Sequence, residues 1–215
     1  MVAVFDLDGT LTWRDTLLPY LAGFLRRHPR RLLGLWRLPI QLAAFAVLHR
    51  DRGKLKSAVI RMLLGGETRT DLAEWTAEFV AALPARRAFR PGALAALGVH
   101  REAGDHLVLL SASPDLYVPA IGTLLGFERT LCTELVWRDH RLEGSLKTAN
   151  RRGAEKSHCL AWLRTQYPGL EFIAYGNSAS DLDHMRKAER ALLVNAGAAA
   201  CAAAARYGIP TANWT

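Results

Sequence analysis

The sequence predicts an α/β fold: a Rossmann-like parallel sheet, an all-helical insertion after the first strand and a small β-hairpin late in the chain. Three observations predict it. Short apolar runs recur at residues 2–7, 107–110, 171–175 and 191–194, each giving way to small or polar residues. Helical patterns at 92–103, 115–126, 154–166, 180–189 and 198–207 alternate with the later runs. Residues 13–90 carry no strand signal. Strand–helix alternation implies a parallel sheet with helices on both faces.

In chain order, VAVFDL opens the core and breaks at Gly9. The insertion then reads as four helices, 15–28, 31–49, 53–64 and 70–82, broken at Pro29, Pro39, Gly53, Gly65-Gly66 and Pro84. Asp15 is a cap candidate for the first of these, and Thr70 or Asp71 for the last. The parallel core resumes near Pro91. LVLL runs into Ser111-Ala112-Ser113-Pro114, EFIAY into Gly176-Asn177-Ser178, and ALLV into Asn195-Ala196-Gly197. Residues 132–147 break the alternation. Thr133, Leu135 and Trp137 share one side of a strand, Arg138-Asp139-His140 turns, and a second strand follows near Leu142. The Ala-rich tract 196–205 reads as a plain helix. The chain thus divides into a core, 1–12 and 91–215, and a helical unit, 13–90.

Composition narrows the function classes. At 215 residues and 50% hydrophobic, the chain buries a real core, and 22% charged residues exclude a disordered one. Cys132, Cys159 and Cys201 form neither a disulfide framework nor a zinc-ligand spacing, so a reducing compartment is expected. Asp6 and Asp8 interrupt the first apolar run, so no secretory signal is expected. The apolar run Leu38–Leu48 spans about 16 Å as a helix, against about 30 Å for a bilayer core. The expected location is therefore cytoplasmic, with the 31–48 segment suited either to peripheral contact on the inner membrane face or to packing within the insertion.

Ligands of parallel sheets bind beyond the carboxyl ends of the strands. Asp6, Asp8, Ser111, Asn177 and Asp181 all fall there. Asp6 and Asp8 point the same way if the strand continues that far. Paired carboxylates attract a hard cation, and Mg²⁺ is commonly held by one or two carboxylates plus a substrate phosphate. An isolated D-x-D reads as two solvated loop carboxylates, but here D-x-D-G-T sits on the expected first strand, which favours the cation. Gly9 permits a tight turn. Ser111 and nearby N–H groups suit a phosphate oxygen or a simple cap. Lys156 opens a helix, where the macrodipole disfavours a cation. It therefore faces an anion or plain solvent. Gly176–Asp181 reads as a turn with an Asx-type cap. Cys159 and Met185 read as core, His158 as without a direct role and His184 as surface.

In order, DLDGT, a strand-ending Ser, a Lys and GNSxxD resemble the four motifs of the haloacid dehalogenase (HAD) superfamily of phosphatases, over essentially the whole chain. The insertion after the first motif is similar to the cap of the phosphoserine-phosphatase-like branch, subfamily IB. TELVWRDHRLEGSL, LLVNA and YGIPTANW also resemble that branch. The basic, apolar cap most resembles bacterial phosphatidylglycerophosphatase C-type proteins. The resemblance implies an aspartyl-phosphate on Asp6, with Asp8 as general acid and then base. It implies phosphoryl binding by Ser111, Ala112, Lys156, Gly9 and Thr10, and Mg²⁺ held by Asp6, Asp8, Asn177 and Asp181. Asn177 stands where the superfamily usually has Asp. Its amide oxygen can ligate Mg²⁺ but brings no charge, which leaves metal affinity open, more so than catalytic rate, and gives Asp181 more of the role, directly or through water.

The net charge of +8 is unevenly spread. Residues 13–90 hold 13 Arg and 2 Lys against 6 acids, net +9, and the remainder is net −1. Residues 21–61 hold ten basic groups and one acid around Trp36, Leu38, Ile40, Leu42, Phe45, Val47 and Leu48. Such clustering suits an anionic membrane, at about 1 kcal/mol per well-placed Lys or Arg. A helical bundle with a solvated basic side explains it equally. Three readings follow: a phosphatase of lipid phosphates such as phosphatidylglycerophosphate, a soluble phosphoserine-type phosphatase, or a non-enzymatic basic module for membrane or nucleic acid. No nucleic-acid recognition module accompanies the charge, so nucleic acid is the least expected partner.

Overall fold

The computed structural model describes residues 1–32 and 51–215. Its strands are β1 (Val2–Phe5), β2 (His106–Pro114), β3 (Arg129–Thr133), β4 (Leu135–Arg138), β5 (Arg141–Leu146), β6 (Phe172–Gly176), β7 (Arg190–Val194) and β8 (Thr211–Ala212). Its helices are α1 (Leu17–Arg27), α2 (Arg52–Leu64), α3 (Arg69–Ala82), α4 (Pro91–Glu102), α5 (Val118–Leu124), α6 (Ala154–Gln166), α7 (Leu182–Met185) and α8 (Ala198–Ala205). Six strands form one sheet in the order β3-β2-β1-β6-β7-β8, with every pairing parallel. This is the expected α/β architecture.

The central strand shows why its sequence is uniformly apolar. All four residues of β1 are buried, but on opposite faces. Val2 and Val4 join Val108, Leu110, Cys159, Leu160 and Leu163 under α6. Ala3 and Phe5 join the cluster beneath α4 and α5. A strand covered on both faces loses the polar alternation of a half-exposed one. From β1 the chain builds outward to β3, then crosses back to β6, β7 and β8. That reversal leaves a crevice at the carboxyl ends of β1 and its neighbours.

Three strand expectations are corrected. β2 does not end before Ser111; it continues to Pro114, with an irregular register between Leu110 and Pro114. Thr133 belongs to β3 in the main sheet, not to the hairpin. β8 adds an unexpected edge. The hairpin itself is β4–β5, closed by Asp139 and His140 at φ 46° and 61°. Positive φ at both central residues is the turn whose twist suits a two-residue hairpin.

Thr12 and Phe89, next to the two expected boundaries of the helical unit, form an antiparallel bridge. Asp15 Oδ1 accepts from the Leu17 and Leu18 N–H groups, the capping expected there. α3 is instead capped by Thr68, whose Oγ1 accepts from Asp71 N. Tyr20, Phe24, Trp75 and Phe79 pack with Tyr117 in the same apolar cluster as Phe5. α2 lies against the hairpin, where Arg61 pairs with Glu143. The expected helix at 31–49 and the apolar 31–48 segment fall almost wholly outside the described residues. Among the described residues, no helix is long and apolar enough to cross a membrane.

Candidate functional site

A cavity of about 480 Å³ opens at the crevice. Asp6, Asp8 and Gly9 line it from the turn after β1, Ala112 and Ser113 from β2, and Asn177, Ser178 and Asp181 from the loop after β6. Lys156 enters from α6. The two carboxylates do not reach it by strand alternation, because β1 stops at Phe5. Asp6 is extended, and residues Leu7–Leu11 then form one wide helical turn, irregular at Asp8 and Gly9. Gly9 has φ 83°. That turn, closed by Thr12 N to Leu7 O at 3.1 Å, brings Asp8 round beside Asp6.

The floor of the cavity is a buried charge cluster. Lys156 Nζ donates to Asp6 Oδ1 at 2.7 Å and to Asp181 Oδ1 at 2.6 Å, and all three residues are buried. Thr10 Oγ1 donates to Asp6 Oδ2 at 3.1 Å. Asp181 Oδ2 accepts from Ser178 Oγ, Ser178 N and Asn177 N, clipping the loop. Two carboxylates thus share one lysine. Burial works against the charge of Lys156, but Asp181 and Asp6 outweigh it and hold the ammonium above its ordinary range. Burial would also raise Asp181, yet Lys156 holds it low. Asp6 is the partner left short: burial pushes it up to about 7 despite Lys156.

Asp8 sits in a different setting. Its Oδ1 accepts from Thr16 N at 2.8 Å and Thr16 Oγ1 at 2.7 Å, and its Oδ2 from Ser113 Oγ at 2.6 Å. Burial, then the charge of Asp15, raises its pKa, while the Ser113 and Thr16 bonds oppose the rise. The site therefore holds two neighbouring carboxylates with different partners.

The other expected site residues divide. Gly9, Ala112, Lys156 and Asn177 line the cavity with the aspartates. Ser111 and Thr10 are fully buried and do not line it; Ser111 Oγ accepts from Ser113 N at 3.0 Å. His184 is corrected from surface to core, at 1% exposure with neither ring nitrogen partnered among the described residues. Burial, then the Lys156 charge, lowers its pKa to about 3, so it stays neutral. Cys159 and Met185 are buried, as read. Sequence reasoning missed Ser113 and Thr16 as the holders of Asp8, and Lys56, Asn150 and Arg152 as cavity residues. Ser113 had a signal in its adjacency to Ser111; the others meet the site only through the fold.

Gly9 yields a direct prediction. A Cβ there would stand 2.0 Å from Asn177 Nδ2, on a backbone at φ 83°. Gly9→Ala should displace Asn177 and strain the turn, costing about 1–3 kcal/mol. Urea denaturation of the variant checks this, and an unchanged midpoint refutes it.

Among the described residues, no group of three or more His, Cys, Asp or Glu forms a metal cage. The donor chemistry nevertheless fits a hard divalent cation. Asp6 shares its one lysine with Asp181, and the Asp6 carboxylate and the Asn177 amide, which both line the cavity, carry the oxygen ligands such a cation takes.

Residues 3–186 match the family model of the haloacid dehalogenase-like hydrolases. The chain belongs to that hydrolase family. The haloacid dehalogenase-like match runs from β1 through α7 and so contains every cavity residue named above. Protein CicA of Caulobacter vibrioides is 34% identical over 192 residues, covering 88% of this chain and 83% of that one. A protein of unknown function from Bordetella pertussis Tohama I shares the fold with a TM-score of 0.82, at 22% identity over 100% of this chain and 98% of that one. A phospho-aspartyl intermediate analogue of phosphoserine phosphatase superposes with a TM-score of 0.63, at 17% identity over 94% and 89%.

Proposed function

We propose that this haloacid dehalogenase-like hydrolase is a Mg²⁺-dependent phosphatase that cleaves phosphomonoesters through an aspartyl-phosphate on Asp6. The carrying observation is the buried Asp6–Lys156 pair on the cavity floor, with Asp8 beside it in a separate hydrogen-bond setting. Asp6 Oδ attacks phosphorus as the ester oxygen departs, and Asp8 gives that oxygen its proton. Water then attacks the same phosphorus, Asp8 takes a proton from it, and the bond to Asp6 breaks. Lys156 stays beside the reacting oxygens and offsets their charge. Asp6, the Asp8 carbonyl and Asn177 would hold Mg²⁺, with Asp181 behind them steering Lys156 and the loop. Bound Mg²⁺ supplies Lewis-acid polarisation of the phosphoryl group. The backbone N–H groups near Ala112 complete the phosphoryl cradle, with Ser111 supporting them from behind and Thr10 orienting Asp6.

Residues 13–90 act as a cap that selects substrate. Its net charge of +9 favours an anionic lipid phosphate such as phosphatidylglycerophosphate, met at the cytoplasmic membrane face. The likeness to phosphoserine phosphatase favours a second reading, a small soluble phosphomonoester. A phosphatase screen with Mg²⁺ on phosphatidylglycerophosphate in micelles, lysophosphatidate and phosphoserine separates them. EDTA should abolish all turnover. Faster hydrolysis of phosphoserine, without binding to anionic vesicles, overturns the lipid reading.

A further inference from the structure

We propose that Asn195 and Trp214 are positioning residues of the hydrolase site. Through a circuit of hydrogen bonds they hold the turn that places Asp8 beside Asp6. This rests on the hydrolase reading above and extends it to residues outside the cavity. Asn195 lies in LLVNA and Trp214 in YGIPTANW, and neither lines the cavity.

The turn over Leu7–Leu11 departs from helical geometry at Asp8 and Gly9, so its shape depends on outside partners. Lys156 and Thr10 hold Asp6, and Thr16 and Ser113 hold Asp8. Gly9 is held from the end of β7. Asn195 Nδ2 donates to Gly9 O at 3.3 Å, across 186 residues of chain. Trp214 N donates to Asn195 Oδ1 at 2.7 Å. A backbone N–H can only donate, so the amide oxygen must face Trp214 and its N–H end must face Gly9. Trp214 O accepts from Arg90 Nη1 at 3.0 Å. Arg90 N in turn donates to Leu11 O at 2.9 Å. The circuit begins on Gly9 and ends on Leu11, so it grips the turn at two carbonyls.

The local structure is built around this circuit. Asn195 takes a left-handed backbone, φ 54°, which Asn tolerates better than most residues. Its N–H donates to Ala212 O at 2.9 Å, so the two residues of β8 deliver Trp214 to its side chain. The Trp214 ring lies 5.3 Å from that of Tyr175 and 6.5 Å from that of Phe5. From the other side α4 closes in. A Cβ on Gly92 would stand 2.8 Å from Trp214 Cβ and 3.0 Å from its Cα, so the contact takes a glycine. The Arg90 guanidinium also lies 4.2 Å over the ring of Trp13, which lines the cavity. A shift of about 1 Å in a reacting group costs up to about 100-fold in rate, so a hold on this turn is a hold on the proton transfer at Asp8.

The test uses the full chain with Mg²⁺ and two phosphomonoesters, p-nitrophenyl phosphate and glycerol 3-phosphate. Nitrophenolate leaves without a proton, whereas the glycerol oxygen needs the one that Asp8 gives. Two variants break the circuit at different points. Asn195→Gly removes both side-chain bonds and accepts the left-handed backbone. Gly92→Ala removes no bonding group but displaces Trp214, in a helix where Ala is the better former. In each, kcat/KM on glycerol 3-phosphate should fall by about 10- to 100-fold, and the fall on p-nitrophenyl phosphate should be about fivefold smaller. A loss of folded protein would lower both esters equally. Equal falls on the two esters, or an unchanged kcat/KM on glycerol 3-phosphate in either variant, overturn the proposal. A parent that hydrolyses neither ester overturns the hydrolase reading, and amide hydrogen exchange at residues 7–12 then decides the hold on the turn. Faster exchange there in both variants keeps the hold, and exchange equal to the parent's overturns it.

Discussion

Asp6→Asn is expected to lower phosphomonoester turnover by about 10⁴-fold or more, because an amide oxygen cannot serve as the nucleophile. The same variant should fold as stably as the parent, or more so, in EDTA at neutral pH. Asp6 has its native pKa raised by burial to about 7, above its ordinary 3.8. Between those values the native state binds more protons than the unfolded one, so stability falls as pH rises through the window. The introduced amide cannot titrate, and the variant should lose that part of the slope. Urea midpoints at pH 5 and pH 7.5, without metal, measure it. A parent and variant with parallel pH profiles would count against the uncompensated carboxylate. Residual turnover near the parent rate would remove Asp6 from the chemistry.

Lys156→Met should be the most destabilising single change in the site. It leaves Asp6 and Asp181 buried together without a cation, and breaking a buried pair in this way costs about 3–5 kcal/mol. In the parent, Lys156 holds the Asp181 pKa below its ordinary value, a stabilisation present above that value and lost as pH falls. The variant lacks it, and both carboxylates then favour protons. Its deficit should therefore be larger at pH 7 than at pH 5. Turnover should be lost at both. Thermal or urea unfolding at the two pH values checks the sign, and a deficit independent of pH would argue that Lys156 merely packs.

What was legible in the sequence follows burial. β1, β2, β6 and β7 run through the middle of the sheet, and their unbroken apolar runs show it. β3 is RTLCT at the sheet edge, where Arg129 and Thr130 are only partly covered, so it offers no such run. β8 is two residues held by pairing to β7, too short for any pattern. Ser111 resembled a strand end because polarity rises there, yet pairing to β3 carries β2 on to Pro114. At the site, Asp6, Asp8, Lys156 and Asp181 stood out by spacing and order. Thr16, Ser113 and Lys56 did not, because their relevance is a contact across 8, 105 and 56 or more residues of chain. His184 misled for the opposite reason: a histidine three residues past an aspartate carries no mark of burial.

The apolar cluster that joins Phe5 to Tyr20, Trp75 and Phe79 has a consequence for cooperativity. Sequence divides the chain into a core and a helical unit, but the packing does not respect the division. Leu7, Leu11 and Tyr117 belong to the same cluster as the insertion helices, and so do Ile60 and Leu64 of α2. Each large apolar side chain withdrawn from water contributes about 1.5–3 kcal/mol, and here that gain is shared across the boundary. Loss of the insertion helices would strip the cover from one face of the sheet, while the clusters on α6 and around β7 contain no residue of 13–90. The insertion and that face of the sheet are therefore expected to unfold together, so a mutation deep in an insertion helix should reach the turn that carries Asp6 and Asp8 through the packing they share.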